Sequence, residues 1–184
     1  MARLTQFENP SNPLGTNIMT TTITNRPAPW WLRELAHGRA AYEELLGWPV
    51  SVQVGNRVLI VSISSSIAAL TMPAALGAAV REELTVALQD GPVLTDPEGS
   101  RWTFLTRPAE CLRPGVATEL AKVQVNLAPR GGHVVVPTAP TMGPAPVGTA
   151  WRWIEAPSPG RPLPPAYPVI AVTRRLTERT DLAA

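Results

Sequence analysis

Apolar residues recur at helical spacing in two stretches of the chain. From Trp30 to Leu46 they fall every three or four residues, Glu43 and Glu44 lie off that face, and Gly47 follows as a typical helix stop. The second stretch, Pro73–Leu88, opens with a proline, which is favoured at the first helical position. Both stretches therefore predict amphipathic helices. The apolar residues are Trp31, Leu35, Tyr42, Leu45 and Leu46 in the first stretch, and Leu76, Val80, Leu84 and Leu88 in the second.

Short β-branched runs separated by turn residues predict two pairs of strands. Val50–Val54 and Val58–Ile63 flank Gly55-Asn56. Pro92–Thr95 and Arg101–Thr106 flank the sequence Asp-Pro-Glu-Gly, whose residues favour a turn. Three serines end the second run, and no further element is predicted before the second helix.

The rest of the chain predicts a short helix and two more strands. Pro114–Val123 has helical spacing, and two β-type runs, Val123–Leu127 and His133–Val136, are joined through a Gly-Gly pair. Val169–Leu182 fits either a strand or a helix, and its Arg174-Arg175 pair is expected to be solvated. Helices alternating with pairs of strands predict an α+β fold, in which helices pack on a mixed, mostly antiparallel sheet.

The length of 184 residues favours a single domain. Residues 1–29 are rich in Asn, Pro and Thr and have no apolar periodicity, so they are predicted to be disordered. The folded domain is predicted to span residues 30–176, and residues 177–184 are predicted to form a C-terminal tail. The 21 prolines and 13 glycines indicate many loops between the elements.

The composition excludes several classes of protein. Cys111 is the only cysteine, so it has no intramolecular disulfide partner, and no Cys/His set has the spacing of a zinc site. No apolar run reaches the roughly 18 residues of a membrane span, and the N-terminus lacks the features of a signal peptide. These features favour a cytoplasmic protein with no membrane partner.

The charge pattern is too mild to indicate nucleic-acid binding by itself. The net charge is +2, and Lys122 is the only lysine among 16 basic residues. A phosphate-binding surface, if present, would use the planar guanidinium fork, which suits phosphate. The candidate arginines are Arg101, Arg107, Arg130 and Arg152.

Trp151 and Trp153 alternate around Arg152. This spacing predicts either core packing or a platform on which bases stack.

Few titratable residues are arranged for catalysis. His37 and His133 are the only histidines, and no Ser/His/Asp or Cys/His set is indicated. His133 is interpreted as a structural or rim imidazole in preference to a ligand. Asp96 and Glu98 would share a strand face and hold a divalent metal there, but the proline and glycine beside them favour a turn.

Both ends of the domain resemble the N-terminal domain of bifunctional DNA primase/polymerases, the prim-pol family of archaeo-eukaryotic-primase-like folds. The resemblance is carried by VQVNLAPRGGHVVVPTAPT at residues 123–141, WRW at residues 151–153 and PLPP at residues 162–165. Upstream, Ala40-Ala41-Tyr42 and the sequence LGWPV at residues 46–50 are similar to the family's opening helix and Gly-Trp-Pro-Val turn. The resemblance covers roughly Trp31 to Val169.

The resemblance implies a two-metal nucleotidyl transferase, in which two strand carboxylates, a third acid and a histidine surround the metal ions and the incoming nucleotide. The acid-x-acid strand falls on Val58–Ser64, with Ser62 and Ser64 at the carboxylate positions. The histidine falls on Trp102 and the third acid on Asn126. Neutral oxygens are weak ligands for two divalent cations, so the match implies that catalysis has been lost.

The expected function is that of a pseudoenzyme without a cofactor, which binds a nucleotide or single-stranded nucleic acid or acts as a regulatory module. Two alternatives stay open. One is an active DNA primase/polymerase-type transferase with displaced Mg or Mn ligands drawn from Asp90, Asp96 or Glu98, and the other is a regulatory protein–protein interaction module. The residues expected to bind the nucleotide or nucleic acid are Arg101, Arg130, His133 and Arg152.

Overall fold

The computed structural model describes residues 27–110, 112–113, 115–141 and 150–181. Residues 1–26, which belong to the predicted disordered tail, and residues 182–184 of the predicted C-terminal tail lie outside these ranges. In chain order the elements are α1 (Trp30–Leu46), β1 (Val50–Gln53), β2 (Val58–Ser62), β3 (Ala68–Pro73), α2 (Ala74–Val86), β4 (Val93–Thr95), β5 (Arg101–Thr106), α3 (Val116–Lys122), β6 (Asn126–Leu127), β7 (His133–Val136), β8 (Arg152–Glu155) and α4 (Ala166–Asp181).

The first helix and both hairpins are confirmed. Gly47 takes the left-handed conformation (φ 65°) that ends α1, and its N–H donates to Glu43 O at 3.1 Å. β1 pairs with β2 and β4 pairs with β5, each pair antiparallel. The turn predicted between β4 and β5 is also present, because Gly99 N–H donates to Asp96 O at 3.1 Å.

The strands form two antiparallel sheets, which confirms the α+β fold class. A three-stranded sheet has the order β1-β2-β7, and a five-stranded sheet has the order β6-β3-β5-β4-β8. The segment from β3 through β6 has the βαββαβ connectivity of a split βαβ, or ferredoxin-like, unit, with its first and third strands in the centre. This arrangement serves many unrelated functions, so it indicates none by itself.

Two hydrophobic clusters cover the two faces of the five-stranded sheet. The inter-sheet cluster lies between this sheet, the three-stranded sheet and α1, and the helix-side cluster lies between this sheet and the other helices. Side chains of the inter-sheet cluster include Leu35, Tyr42, Val50, Leu59, Val61, Leu94, Leu105 and Trp153. Side chains of the helix-side cluster include Leu70, Met72, Val80, Leu84, Phe104, Leu120, Val169 and Ile170.

The central strand β3 was missed by the sequence analysis. Its sequence, AALTMP, holds one β-branched residue, and alanine is a weak strand former. The strand exists because β5 and β6 hydrogen-bond to its two edges, and because Leu70 and Met72 are buried on one side and Ala69 on the other. Tertiary contacts therefore override a weak local preference.

Downstream, the structure differs from the prediction at β6 and at the end of the domain, and of the two alternatives left open for the last element it has the helix. Only Asn126–Leu127 of the predicted run at residues 123–127 is a strand, and it pairs with β3, whereas β7 pairs with β2 in the other sheet. The last element is a helix, and it continues past residue 176, where the sequence placed the end of the domain. None of the helices in the described ranges is long and apolar enough to cross a membrane.

The arginine pair of α4 is not simply solvated. Arg174 Nη2 lies 3.0 Å from Glu119 Oε2 of α3, and Arg175 pairs with Glu83 of α2. These ion pairs join the three helices on the outer side of the helix-side cluster.

Candidate functional site

A row of polar side chains crosses three neighbouring strands of the five-stranded sheet. Thr71 of β3 is the register partner of Asn126 on β6 and of Thr103 on β5, so the three side chains share one face. Thr71 Oγ1 and Thr103 Oγ1 lie 2.9 Å apart. Thr103 is buried, Thr71 is half-buried and Asn126 is exposed, so this polar row opens to solvent at the β6 edge.

The face that carries the polar row is the one covered by the inter-sheet cluster. The register continues from Thr103 to Leu94 and then to Trp153, both of which are buried in that cluster. Most of this face is therefore closed to a ligand. Among the described residues of this face, those at its β6 end, where the polar row lies, combine exposure with polar atoms.

Arg101 lies at the same end of the sheet. It stands two residues before Thr103 on β5, so its side chain starts from the same face. Its Nη2 donates to Gln124 O at 2.7 Å and to Thr71 O at 3.4 Å, which ties β5 to the segment that leads into β6. A guanidinium has five N–H donors, so these two contacts leave most of its donor capacity for other partners.

Trp102 and Asn126 lie on opposite faces of the five-stranded sheet. Side chains alternate along a strand, so Trp102 points to the helix side, where it packs against Gly77 of α2. A Cβ added at Gly77 would lie 2.9 Å from Trp102 Cβ, which shows how closely helix and strand approach. Thr103 is the residue of β5 that belongs to the polar row, so the expected placement of Trp102 in one site with Asn126 is wrong.

Ser62 and Ser64 also lie away from the polar row. Ser62, at the end of β2, is exposed and is the register partner of His133, so both belong to the three-stranded sheet. The Ser64 hydroxyl accepts hydrogen bonds from the amides of Ser66 (3.2 Å) and Ile67 (3.3 Å). Ser64 therefore stabilises the turn between β2 and β3, and the four positions matched to the family motif do not converge.

The remaining basic candidates are spread over different surfaces. Arg130 is exposed in the loop before β7, and this loop is held to Ile63 because Gly131 N–H donates to Ile63 O at 3.0 Å. Arg152 lies on the helix side, as the register partner of Thr95, and its Nη1 is buried without a hydrogen-bond partner. Of the expected binding residues, Arg101 alone is brought to the polar row.

Trp153 of β8 and Trp151, just before the strand, support the core-packing interpretation. Trp153 is buried, its Nε1 donates to Ala139 O at 2.9 Å, and its ring meets Trp48 edge-on with centroids 6.4 Å apart. Trp151 is half-buried against the same inter-sheet cluster. A base-stacking platform on this face is therefore not formed.

The carboxylate of Asp96 stabilises the β4–β5 turn. Asp96 Oδ1 accepts the N–H groups of Ser100 (2.8 Å) and Arg101 (3.2 Å), and Oδ2 accepts the Ser100 hydroxyl at 2.7 Å. Partial desolvation raises the pKa of Asp96, but these hydrogen bonds outweigh it and hold the pKa below its usual value. Among the residues that the structure describes, no three His, Cys, Asp or Glu side chains form a group suited to a metal ion.

Comparisons with protein-family models, with curated proteins and with solved structures give no match. The resemblance to primase/polymerases therefore rests on the residues quoted from the sequence. The match to the family did not select Thr71 or Thr103. Thr71 lies in β3, the strand that was not predicted, and Thr103 lies one residue after Trp102, the position matched to the family's histidine. Alternation along β5 was the one signal in the sequence that distinguishes Thr103 from Trp102.

Proposed function

We propose that the chain is a primase/polymerase-like domain without nucleotidyl-transferase activity, which binds the phosphate groups of a nucleotide or a single-stranded nucleic acid without a metal ion. The observation that carries the proposal is the neutral polar row, Asn126, Thr71 and Thr103, with Arg101 beside it.

The strand order supports a revised match to the family motifs. The resemblance implies that the acid-x-acid strand, the histidine strand and the third-acid strand meet at one site. With Asn126 on β6 and the histidine strand on β5, the strand between them is β3. Ala69 and Thr71 of β3 have the i, i+2 spacing of the two acids and share one face, so they replace Ser62 and Ser64 in the match.

The chemistry of this row favours metal-free binding. Two divalent cations in a transferase site are held by anionic oxygens, whereas alanine, threonine and asparagine supply neutral oxygens or none. The Thr71 and Thr103 hydroxyls also bond to each other, which reduces their capacity to coordinate an ion. Arg101 supplies a fixed positive charge on the same face, and a guanidinium binds phosphate through parallel N–H donors.

The same geometry limits how a nucleic acid would bind. Proteins that bind single strands on an open sheet stack bases on exposed aromatic side chains. Here the inter-sheet cluster covers that part of the sheet, and Trp153 is buried. We therefore propose contact with phosphate groups at the β6 edge and no stacking across the sheet.

The direct test is binding of a nucleoside triphosphate and of an oligothymidylate in EDTA, measured by calorimetry over a series of salt concentrations. We expect salt-sensitive binding in the absence of metal, because phosphate contacts by arginine are screened by salt. Metal-dependent nucleotide incorporation by the wild-type chain would contradict the proposal. Absence of binding at low salt would contradict it as well.

A nearly isosteric variant locates the site. Asn126→Asp adds a negative charge at the exposed end of the polar row, and we expect it to weaken phosphate binding by about tenfold, since about 1.4 kcal/mol of repulsion corresponds to that factor. The matched control is Asn56→Asp on the exposed β1–β2 turn, which should bind like the wild type. Equal losses in both variants would indicate a general effect of net charge and not this site.

A further inference from the structure

The exposed face of α2 carries fewer charged residues than that of α1. The helix packs inward through Gly77, Val80 and Leu84. A helix covered by water on its other side normally carries charged residues there, as α1 does with Arg33, Glu34, His37, Arg39, Glu43 and Glu44. The exposed residues of α2 and of the turn after it are Ala75, Ala78, Glu82, Thr85, Val86, Ala87 and Leu88, and Arg81 and Glu83 are partly exposed beside them.

Two large side chains at the end of this face are almost fully exposed. Val86 and Leu88 retain 84% and 82% of their accessible surface. Leu88 also has a positive φ of 55°, at the position after a helix where glycine or asparagine is preferred. Gln124 has the same left-handed conformation after α3 (φ 58°), so the feature particular to Leu88 is that a large apolar side chain is exposed there.

A groove of about 430 Å³ lies beside these residues. Its lining combines apolar side chains, among them the partly exposed ring of Trp102, with one residue of each charge. Arg81 Nη2 lies 2.9 Å from Glu155 Oε2, which leaves its other N–H donors available, and Glu82 is exposed. The lining residues are Ala78, Arg81, Glu82, Thr85, Val86 and Trp102.

We propose that a second copy of this chain covers the face, with the two α2 helices antiparallel across a two-fold axis. In such a pairing each residue pair occurs twice, so a patch with charges of both signs complements itself. Arg81 of one copy then meets Glu82 of the other, while Val86 and Leu88 enter the groove beside the other copy's Trp102. Ala75 and Ala78 let the helices approach closely, and the helices match in length because they are identical. This proposal is independent of the phosphate site, which lies on the opposite face of the sheet.

The test is sedimentation equilibrium of the full chain over a wide range of concentrations. We expect a reversible monomer–dimer equilibrium. Val86→Lys and Leu88→Gly should each raise the dimer dissociation constant at least about tenfold, since charging or truncating a large apolar side chain that only the dimer buries has effects of that size. Val54→Lys is the matched control, because Val54 is also exposed (58%) but lies on the β1–β2 turn, and it should dimerise like the wild type.

Leu88→Gly separates association from folding. Glycine accepts a positive φ without steric cost, so the monomer of this variant should unfold at the same or a higher urea concentration while its dimer is weaker. A wild-type chain that stays monomeric at every concentration would overturn the proposal. A dimer that Val86→Lys and Leu88→Gly both form as well as the wild type would overturn it too, since its interface would then lie elsewhere.

Discussion

The two faces of the five-stranded sheet are covered by different means. On the helix side, α2 and α4 lie directly on the strands, and the Gly77–Trp102 contact brings α2 against β5. On the other face, the cover is a second sheet and α1, and it stops before the end of β3, where Thr71 and Asn126 lie. A ligand that reaches the sheet therefore contacts it on the inter-sheet face. A residue that points to the helix side, such as Trp102, does not contact that ligand.

Hydrogen bonding also differs between the two faces. In the inter-sheet cluster, the single hydroxyl hydrogen of Tyr42 is shared between Pro137 O (2.8 Å) and Ala139 O (3.1 Å), and Trp153 donates to the same Ala139 O. Burial raises the pKa of Tyr42, which keeps its phenol protonated and able to donate. These bonds hold the chain after β7 against α1. The helix side is joined instead by apolar contacts and by ion pairs at its rim.

The largest effect on stability is expected where the chain after β7 contacts α1. A Cβ at Gly38 would lie 2.0 Å from Thr138 O, so Gly38→Ala forces the backbone apart. We expect a loss of about 3 kcal/mol in the free energy of unfolding, measured by urea denaturation, after allowing for the gain in helix propensity.

Gly77→Ala is the matched control for the helix side. A Cβ at this position would lie 2.9 Å from Trp102 Cβ, which is a milder clash than the one at Gly38. The loss in the free energy of unfolding should therefore be roughly half of that for Gly38→Ala. If Gly38→Ala were as stable as the wild type, the segment after β7 would not be rigidly held, and the contrast between the two faces would be wrong.

An intermediate effect is expected from Tyr42→Phe. Removing the hydroxyl leaves the buried Pro137 carbonyl without this donor, which should lower the free energy of unfolding by about 1–2 kcal/mol. Tyr167→Phe is the control, because Tyr167 is 63% exposed, and it should have no measurable effect. A Tyr42→Phe variant as stable as this control would show that the hydrogen bonds do not stabilise the inter-sheet face.

The smallest effect is expected at the turn that ends β4 and begins β5. The pKa of Asp96 is lowered in the folded chain, so its contribution is present above the unfolded pKa of about 3.9 and is lost as the pH falls through the folded value. Asp96→Asn should therefore reduce stability at neutral pH by about 1 kcal/mol, and the difference from the wild type should shrink below about pH 4.

Glu98→Gln serves as the control for the Asp96 variant, because Glu98 is exposed in the same turn. Its unfolding curve should match that of the wild type at every pH. A pH-independent loss in Asp96→Asn would mean that the turn responds to shape and not to the charge of the carboxylate.

Local signals in the sequence determined much of the fold. The apolar stripe and Gly47 define α1, and the turn residues define both hairpins, because each of these features depends on residues close together in the chain. The same signals correctly placed Asp96 in a turn. Helix α2 was found with its start within one residue of the prediction.

Only the tertiary structure determined that β3 forms and, with it, where the candidate site lies. Strand Ala68–Pro73 forms because distant strands supply its hydrogen-bond partners, and β6 and β7 enter different sheets for the same reason. Thr103 and Trp102 are neighbours in sequence but point to opposite faces, so a match displaced by one residue selects the wrong side chain. The sequence contains both residues, but long-range pairing determines which of them meets Thr71 and Asn126.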